Sequence, residues 1–286
     1  MDMRQAVVLT LQVSILATVF GYGLKTTADD FRYLFTRPGL LARSLVSVLV
    51  VMPIVAVLLV RTFEVKPALE IALVALAISP VPPLLPQRES KSGGSHPYGL
   101  ALMAVLATLG IATIPLSVEI LQRVFGQALN AATEAVVRLV LMTVLLPLGG
   151  GMAVRALWPA VAERIEPRVS LTAKILLVLG ALALLAGTWR AIWEATGGGA
   201  VIAMVVFVAF GLLIGDLFGR PEREHSVVLA LSSACRHPAI ALSIASASMP
   251  TERVAGTILL YLLVNFVVGV LYFKWRQPAR ASVVAA

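Results

Sequence analysis

The sequence is poor in the residues that most enzymes and metal proteins depend on. It contains one cysteine, Cys235, among 286 residues, so an internal disulfide is excluded. Its three histidines, His96, His225 and His237, are scattered along the chain, which argues against a metal centre. It has no HExxH motif, and no serine and histidine are placed to suggest a catalytic pair. We therefore expect neither an enzyme nor a protein with a metal or cofactor.

Charge is also scarce, and apolar sequence takes its place. Only 13% of the residues are charged, about half the usual share, while 59% are hydrophobic. Runs of about 20 apolar residues recur along the chain, which predicts an all-α polytopic membrane protein with the lipid bilayer as its surroundings. The first run contains Gln12 and lacks a small-residue cleavage site, so we interpret it as a retained span. We predict nine transmembrane helices, at 6–24, 40–60, 68–86, 97–121, 134–155, 171–190, 200–218, 226–248 and 254–274.

The spans leave only short hydrophilic gaps, so residues 1–286 are predicted to form a single transmembrane domain. The net charge of +8 has no soluble basic domain to carry it, and a nucleic-acid partner is not expected. With the N-terminus outside, 15 lysines and arginines lie on the cytoplasmic side, seven lie outside and Arg236 remains within the membrane. This bias predicts a multi-pass protein of the cell membrane with a cytoplasmic C-terminus.

Two predicted spans contain features that interrupt a helix. The third carries four prolines in quick succession, Pro80, Pro82, Pro83 and Pro86. The eighth carries Arg236 and His237 directly before Pro238. Proline breaks the hydrogen-bond ladder, and a cation at the centre of a membrane helix costs at least about 2.5–3.5 kcal/mol. Such backbone is tolerated only where it lines a cavity or is buried in protein.

The two interruptions occupy matching positions in the predicted topology. The last five spans form one repeat whose fourth helix is broken, and the first four form a repeat that lacks its opening helix. Repeats of five helices are related by inversion, so we predict inverted repeats with two crossed discontinuous helices. This arrangement is typical of secondary transporters with a site near the middle of the membrane.

Four stretches resemble the bile acid:sodium symporter family. They are DFRYLFTRPGLLARSLVSVLVVMPIVAVLL ending at Leu59, ISP at Ile78–Pro80, SSACRHPAIALSIA at Ser232–Ala245 and NFVVG at Asn265–Gly269. The resemblance implies a secondary transporter of small organic anions that works by alternating access. It also implies a core domain, residues 40–121 and 200–274, that moves against a panel domain, residues 6–24 and 134–190.

Several positions depart from the family's sodium ligands. The resemblance places Ser232 where the family has a glutamate and Arg236 where it has a glutamine. The family's serine–asparagine pair falls near Leu85 and Pro86, and its hydroxyl ligands fall near Met103, Leu106 and Ala107. Sodium prefers several oxygen ligands, whereas arginine supplies only donors. We therefore expect altered or lost sodium coupling, with Arg236 in the space and charge of the missing ion.

The candidate substrate-binding residues are Arg236, His237, Asn265, Ser232 and Ser233. Arg236 would contact an anion in a bidentate manner, or it is a structural cation bonded to free carbonyls. His237 would carry a coupling proton, or it is a neutral hydrogen-bonding group. Asn265 would contact substrate or simply bond between helices, and helix packing is the ordinary role of the two serines.

Arg88 and Lys91 would guide anions, although the positive-inside rule already accounts for both residues. Two other functions stay open for the whole chain. One is an ordinary sodium-coupled symporter of bile acids or other organic anions. The other is a non-transporting membrane sensor or structural subunit that has kept the fold.

Overall fold

The predicted all-helical architecture is confirmed by a computed structural model that describes residues 3–63, 65–125, 133–247, 249 and 251–276. Every regular element in these ranges is a helix. The first part of the chain forms α1 (Met3–Lys25), α2 (Ala28–Phe35), α3 (Pro38–Leu45), α4 (Met52–Thr62), α5 (Pro67–Ile78), α6 (Leu85–Lys91) and α7 (His96–Phe125). The second part forms α8 (Thr133–Val140), α9 (Leu146–Leu157), α10 (Pro159–Glu194), α11 (Ala200–Gly219), α12 (Arg223–Ala234), α13 (Pro238–Ser246) and α14 (Thr251–Arg276).

Two of the long spans contain a turn of π-helix. Val46–Val51 joins α3 to α4, and Leu141–Leu145 joins α8 to α9. Each π turn ends two residues before a proline, Pro53 or Pro147. Because proline lacks an N–H, the wider turn lets the helix continue past a missing donor.

Eight helices among the described residues are long and apolar enough to cross a membrane, with α12 and α13 counted together as one. The predicted third span, 68–86, is not a single long helix, because α5 ends at Ile78 after 12 residues. The predicted number of nine is therefore not confirmed by helix length. The helix α10 is also longer than the predicted 171–190, with 36 residues. Its first turns carry exposed charged residues, such as Glu163 and Arg164, so the apolar run predicts only the later part of the helix.

Glycines bring α11 and α12 into close contact. Gly211, Gly215 and Gly219 recur every four residues on one face of α11. A Cβ at Gly215 would collide with the backbone of Leu229, and one at Gly219 with that of Ser226. Small residues at this spacing let two helix backbones approach closely. This packing fixes α12, and with it the interruption that follows.

The two interruptions have different local structures. Between α5 and α6, Ser79 is extended, with ψ 145°, and three of the next four residues are prolines. Between α12 and α13, Cys235 and His237 are extended and Pro238 occupies the first turn of α13. His237 caps α13, since its Nδ1 accepts a hydrogen bond from the Ile240 N–H at 3.4 Å.

Candidate functional site

The two interruptions meet inside the protein. The His237 N–H donates to the carbonyl oxygen of Pro80 at 2.9 Å. The guanidinium of Arg236 donates from Nη1 to the carbonyl oxygen of Ser79 at 3.2 Å. Backbone and side chain of the second interruption thus bind the backbone of the first.

Prolines explain why the Ser79 carbonyl is free. In a continuing helix this oxygen would accept from the N–H of residue 82 or 83, and both are prolines. A buried carbonyl without a donor costs about 1–3 kcal/mol. Arg236 provides the donor that Pro82 and Pro83 lack.

The same relationship holds at Val48, in the first π turn. The Met52 N–H donates to the Ser47 carbonyl in the π pattern, so Val48 would accept next from residue 53, which is a proline. Arg236 Nη2 donates to the Val48 carbonyl at 3.1 Å. A single guanidinium thereby joins the π turn of the second span, through Val48, to the interruption after α5.

At the end of α12, Pro238 leaves the Ala234 carbonyl without its helical donor. Two side chains of α14 replace it: the Tyr261 hydroxyl at 2.6 Å and Asn265 Nδ2 at 2.9 Å. The Tyr261 oxygen also accepts from the Arg236 N–H at 2.8 Å. The Ala234 carbonyl and the Arg236 N–H of this interruption are therefore satisfied from α14.

The Arg236 side chain is enclosed in this arrangement, with only 1% of its surface exposed. No acidic side chain pairs with it among the described residues. Its charge is stabilised by carbonyl dipoles instead, and its Nε has no hydrogen-bond partner within the same ranges.

A second cation, Arg88, reaches the crossing from α6. Its Nη1 donates to Asn265 Oδ1 at 3.0 Å and its Nη2 to the Asn265 carbonyl at 3.3 Å. Its Nη1 also lies 3.6 Å from Cys235 Sγ. A Cβ at Gly269 would collide with Arg88 Nη2, so the glycine provides the space that the guanidinium occupies.

Arg88 also lines a cavity of about 500 Å³ between α6, α10 and α14. The cavity carries three cations, Arg88, Lys91 and Lys274. The remaining lining is Leu84, Gln87, Ser92, Leu177, Phe266, Gly269, Val270 and Phe273. The combination of positive charge with an apolar wall suits an amphipathic anion.

A buried acid lies on the same short helix. Glu89 is 1% exposed, and its Oε1 accepts a hydrogen bond from the Ser232 hydroxyl at 2.8 Å. Little in the sequence indicates this contact, because Glu89 falls in the polar run 87–95 that follows the prolines.

The structure brings the predicted site residues together around the crossing of the interrupted helices. Arg236, His237 and Asn265 bind backbone groups or neighbouring side chains there. Ser232 bonds to Glu89, and Ser233 shares a hydrogen bond with Ser47 at 2.7 Å. The cavity lining includes none of these five candidates. Their role in substrate binding stays a prediction, and the residues that sequence reasoning underrated are Arg88 and Glu89.

Two interrupted helices that cross inside a multi-pass helical protein, beside a positively charged cavity, are the architecture of a secondary transporter. The profile of the Sodium Bile acid symporter family matches residues 12–195, nearly two thirds of the chain, and the protein belongs to this family. No curated protein matches the chain at a significant level. The profile match ends before α11, so Arg236 and its interruption lie outside it.

Proposed function

We propose that this protein is a secondary transporter of small organic anions that works by alternating access, with altered or lost sodium coupling. Family membership implies a sodium symporter of organic anions, which supports the coarser part of this proposal. The observation that carries it is the position of Arg88, which lines the cavity and also bonds to Asn265 at the crossing. An anion bound at this guanidinium would contact a residue that is itself bonded at the crossing of the interrupted helices.

The cavity defines the class of substrate. Three cations favour an anion, and no acidic residue is among the described residues that line the cavity. Arg88 has five N–H donors, of which the contacts to Asn265 use two, so donors remain for a carboxylate or sulfonate. Phe266, Phe273 and Leu177 offer an apolar surface to the rest of the ligand. The substrate class is therefore an organic anion with a substantial apolar body.

The altered coupling rests on Arg236. The resemblance places this residue where sodium-coupled relatives have a glutamine ligand, and here a guanidinium is bonded to two backbone carbonyls. A fixed cation that donates to these carbonyls would supply permanently the positive charge that a sodium ion supplies only while it is bound. Sodium is accordingly not proposed as a required co-substrate.

The proposed setting is the cell membrane, with the N-terminus outside and the C-terminus cytoplasmic. Two contacts support the grouping of loops on which this orientation depends. Arg43 Nη1 bonds to the Arg220 carbonyl at one end, while a Cβ at Gly198 would lie 3.1 Å from the Lys66 side chain at the other. Lys91 and Lys274, which line the cavity, belong to the set of cations that the positive-inside rule assigns to the cytoplasm.

Uptake by reconstituted vesicles tests the proposal. The protein is inserted into liposomes and radiolabelled taurocholate is supplied first, followed by a panel of aromatic and aliphatic sulfonates, with sodium or choline as the external cation. We expect flux that persists in choline and that falls in R88A by about tenfold or more, because a charge-assisted hydrogen bond contributes about 1.5–3 kcal/mol. R190A removes an exposed arginine far from the cavity and is the matched control.

Three outcomes separate the candidate functions. Flux that collapses in choline identifies an ordinary sodium-coupled symporter. Saturable anion binding without flux in either cation identifies a non-transporting sensor or structural subunit. Flux that R88A leaves unchanged removes the cavity from the transport path.

A further inference from the structure

The short helix α6 presents opposite charges to two different surroundings. Arg88 points to the cavity and to Asn265 on α14, while the next residue, Glu89, points to Ser232 on α12. Successive helical residues lie about 100° apart, so two neighbours reach different faces. The acid is thus enclosed in protein while its neighbour lines the cavity.

The surroundings of Glu89 are shaped to the carboxyl group. Oε1 accepts from the Ser232 hydroxyl, and a Cβ at Gly99 on α7 would collide with Oε2. Oε2 has no hydrogen-bond partner among the described residues. The carboxyl therefore has one satisfied and one free oxygen, in a space that only a glycine at position 99 leaves open.

No cation pairs with Glu89 in the part of the chain that the structure describes. The titratable groups of other elements that interact electrostatically with it, among the described residues, are Tyr22 from α1, Tyr98 from α7 and Cys235 after α12, all neutral in their ordinary state. The charged Arg88 on its own helix is bonded to Asn265 instead. An ionised carboxylate buried without a partner is strongly unfavourable, so this conformation holds Glu89 as the neutral acid.

We propose that Glu89 is a proton-binding site whose titration couples proton movement to transport of the anion. The inference rests on the proposed transport function and names its coupling ion. A proton from water on one side adds to the carboxylate when that side is open, forming the neutral acid. The same proton passes to water on the other side when the alternate conformation exposes Glu89 to that side, and the carboxylate is restored.

Electrostatics links this proton to the anion. An ionised Glu89 offsets the positive potential of Arg88, and protonation removes that offset, so the anion binds better to the protonated protein. By reciprocity, a bound anion favours protonation of Glu89 to the same degree. One proton and one monovalent anion then cross together without net charge.

The first test uses a pH gradient across proteoliposomes without sodium on either side. Taurocholate is the probe because its sulfonate stays charged, so it does not cross as a neutral acid. An inward gradient of one pH unit is expected to drive up to about tenfold accumulation in the wild type, since one unit corresponds to about 1.4 kcal/mol. E89Q keeps the shape and accepts from Ser232, so it should lose accumulation while it retains exchange of labelled for unlabelled taurocholate.

Two results of this test would overturn the inference: gradient-driven accumulation by E89Q equal to that of the wild type, or exchange by the wild type without any accumulation. A companion experiment replaces the pH gradient with a sodium gradient at equal pH. Accumulation that follows sodium and is lost in E89Q would also overturn the inference, because the site would then hold a metal cation. E163Q, which alters an exposed glutamate of α10, is the matched control and should behave as the wild type.

A second measurement does not depend on transport. Infrared difference spectra of the protein in lipid, recorded as the pH is stepped, report the carbonyl stretch of a buried protonated carboxyl. We expect this band in the wild type and in E163Q, and its loss in E89Q. If no probe is transported but the band is present, the transport function fails while the proton site stands. If probes are transported and the band is missing or unchanged in E89Q, the proton site is wrong.

Discussion

The Nη2 atom of Arg236 lies 3.1 Å from the carbonyl oxygen of Val48, an oxygen that Pro53 leaves without a backbone donor. The same guanidinium bonds to the Ser79 carbonyl, which Pro82 and Pro83 leave free. The intramembrane cation and the prolines are thus two parts of one hydrogen-bonding arrangement. Its consequences are measurable as couplings between substitutions.

The coupling of Arg236 to Pro53 gives the first prediction. R236M leaves two buried carbonyls without donors and should lower stability, at about 1–3 kcal/mol for each carbonyl. P53A restores an N–H that the Val48 carbonyl accepts, so it should return about 1 kcal/mol in the R236M background and little in the wild type. Thermal unfolding in detergent measures both changes.

The matched control for this cycle is P147A. Pro147 follows the other π turn and is distant in sequence from every partner of Arg236. It should not rescue R236M. Equal rescue by P53A and P147A would mean that added helix propensity, and not the Val48 carbonyl, restores stability.

Tyr261 and Asn265 should act together at the end of α12. Y261F leaves the Arg236 N–H without an acceptor but keeps the Asn265 donor to the Ala234 carbonyl. N265L alone likewise keeps the Tyr261 donor. The double variant removes both donors, so its loss of stability should exceed the sum of the single losses.

Thermal unfolding of the four proteins measures this cycle. T188V removes a hydroxyl that bonds within α10, to the Leu184 carbonyl, and is the control for loss of a hydroxyl. Its effect should be small. Strictly additive losses in the cycle would show that Tyr261 and Asn265 do not share the Ala234 carbonyl.

The sequence was informative where backbone chemistry is local. Each proline marks a position without a backbone N–H, so the interruptions could be expected at Pro80–Pro86 and at Pro238. A cation within an apolar span must bond to carbonyls or pair with an acid, and Arg236 donates hydrogen bonds to two carbonyls. The all-helical polytopic class and the family followed from hydropathy and motif order.

The parts that could not be predicted depend on depth and on partners far along the chain. The run from Gln87 to Ser95 is polar and contains two glycines, which does not indicate its depth, and Glu89 within it is buried against Ser232, 143 residues away. The cavity is assembled from α6, α10 and α14, and no local pattern shows that Lys91 and Lys274 face a common space. The division into core and panel domains stays a prediction.

The close approach of α11 and α12 predicts a strong dependence on side-chain size. G215L would force a side chain into the backbone of Leu229 and Ala230, which cannot move without displacing the whole interruption. We expect loss of the monodisperse folded protein in detergent, measured by size-exclusion chromatography. G187L places the same side chain on α10, where a Cβ would meet nothing within 4 Å, and should be tolerated. A folded, monodisperse G215L protein would show that the two helices are not held at this distance.

Gly269 should control function through Arg88 alone. In G269A the new methyl group would collide with Arg88 Nη2, so the guanidinium must shift away from Asn265. We expect taurocholate uptake to fall by about tenfold or more, as for loss of a charge-assisted hydrogen bond, while the protein stays folded. G149A, at a helical glycine with nothing within 4 Å of its Cβ position, should leave uptake unchanged. The double variant R88A/G269A decides the mechanism: its uptake should equal that of R88A, since both changes remove the same contact. A further drop in the double variant would show that the methyl group acts on the cavity or on α14 independently of Arg88.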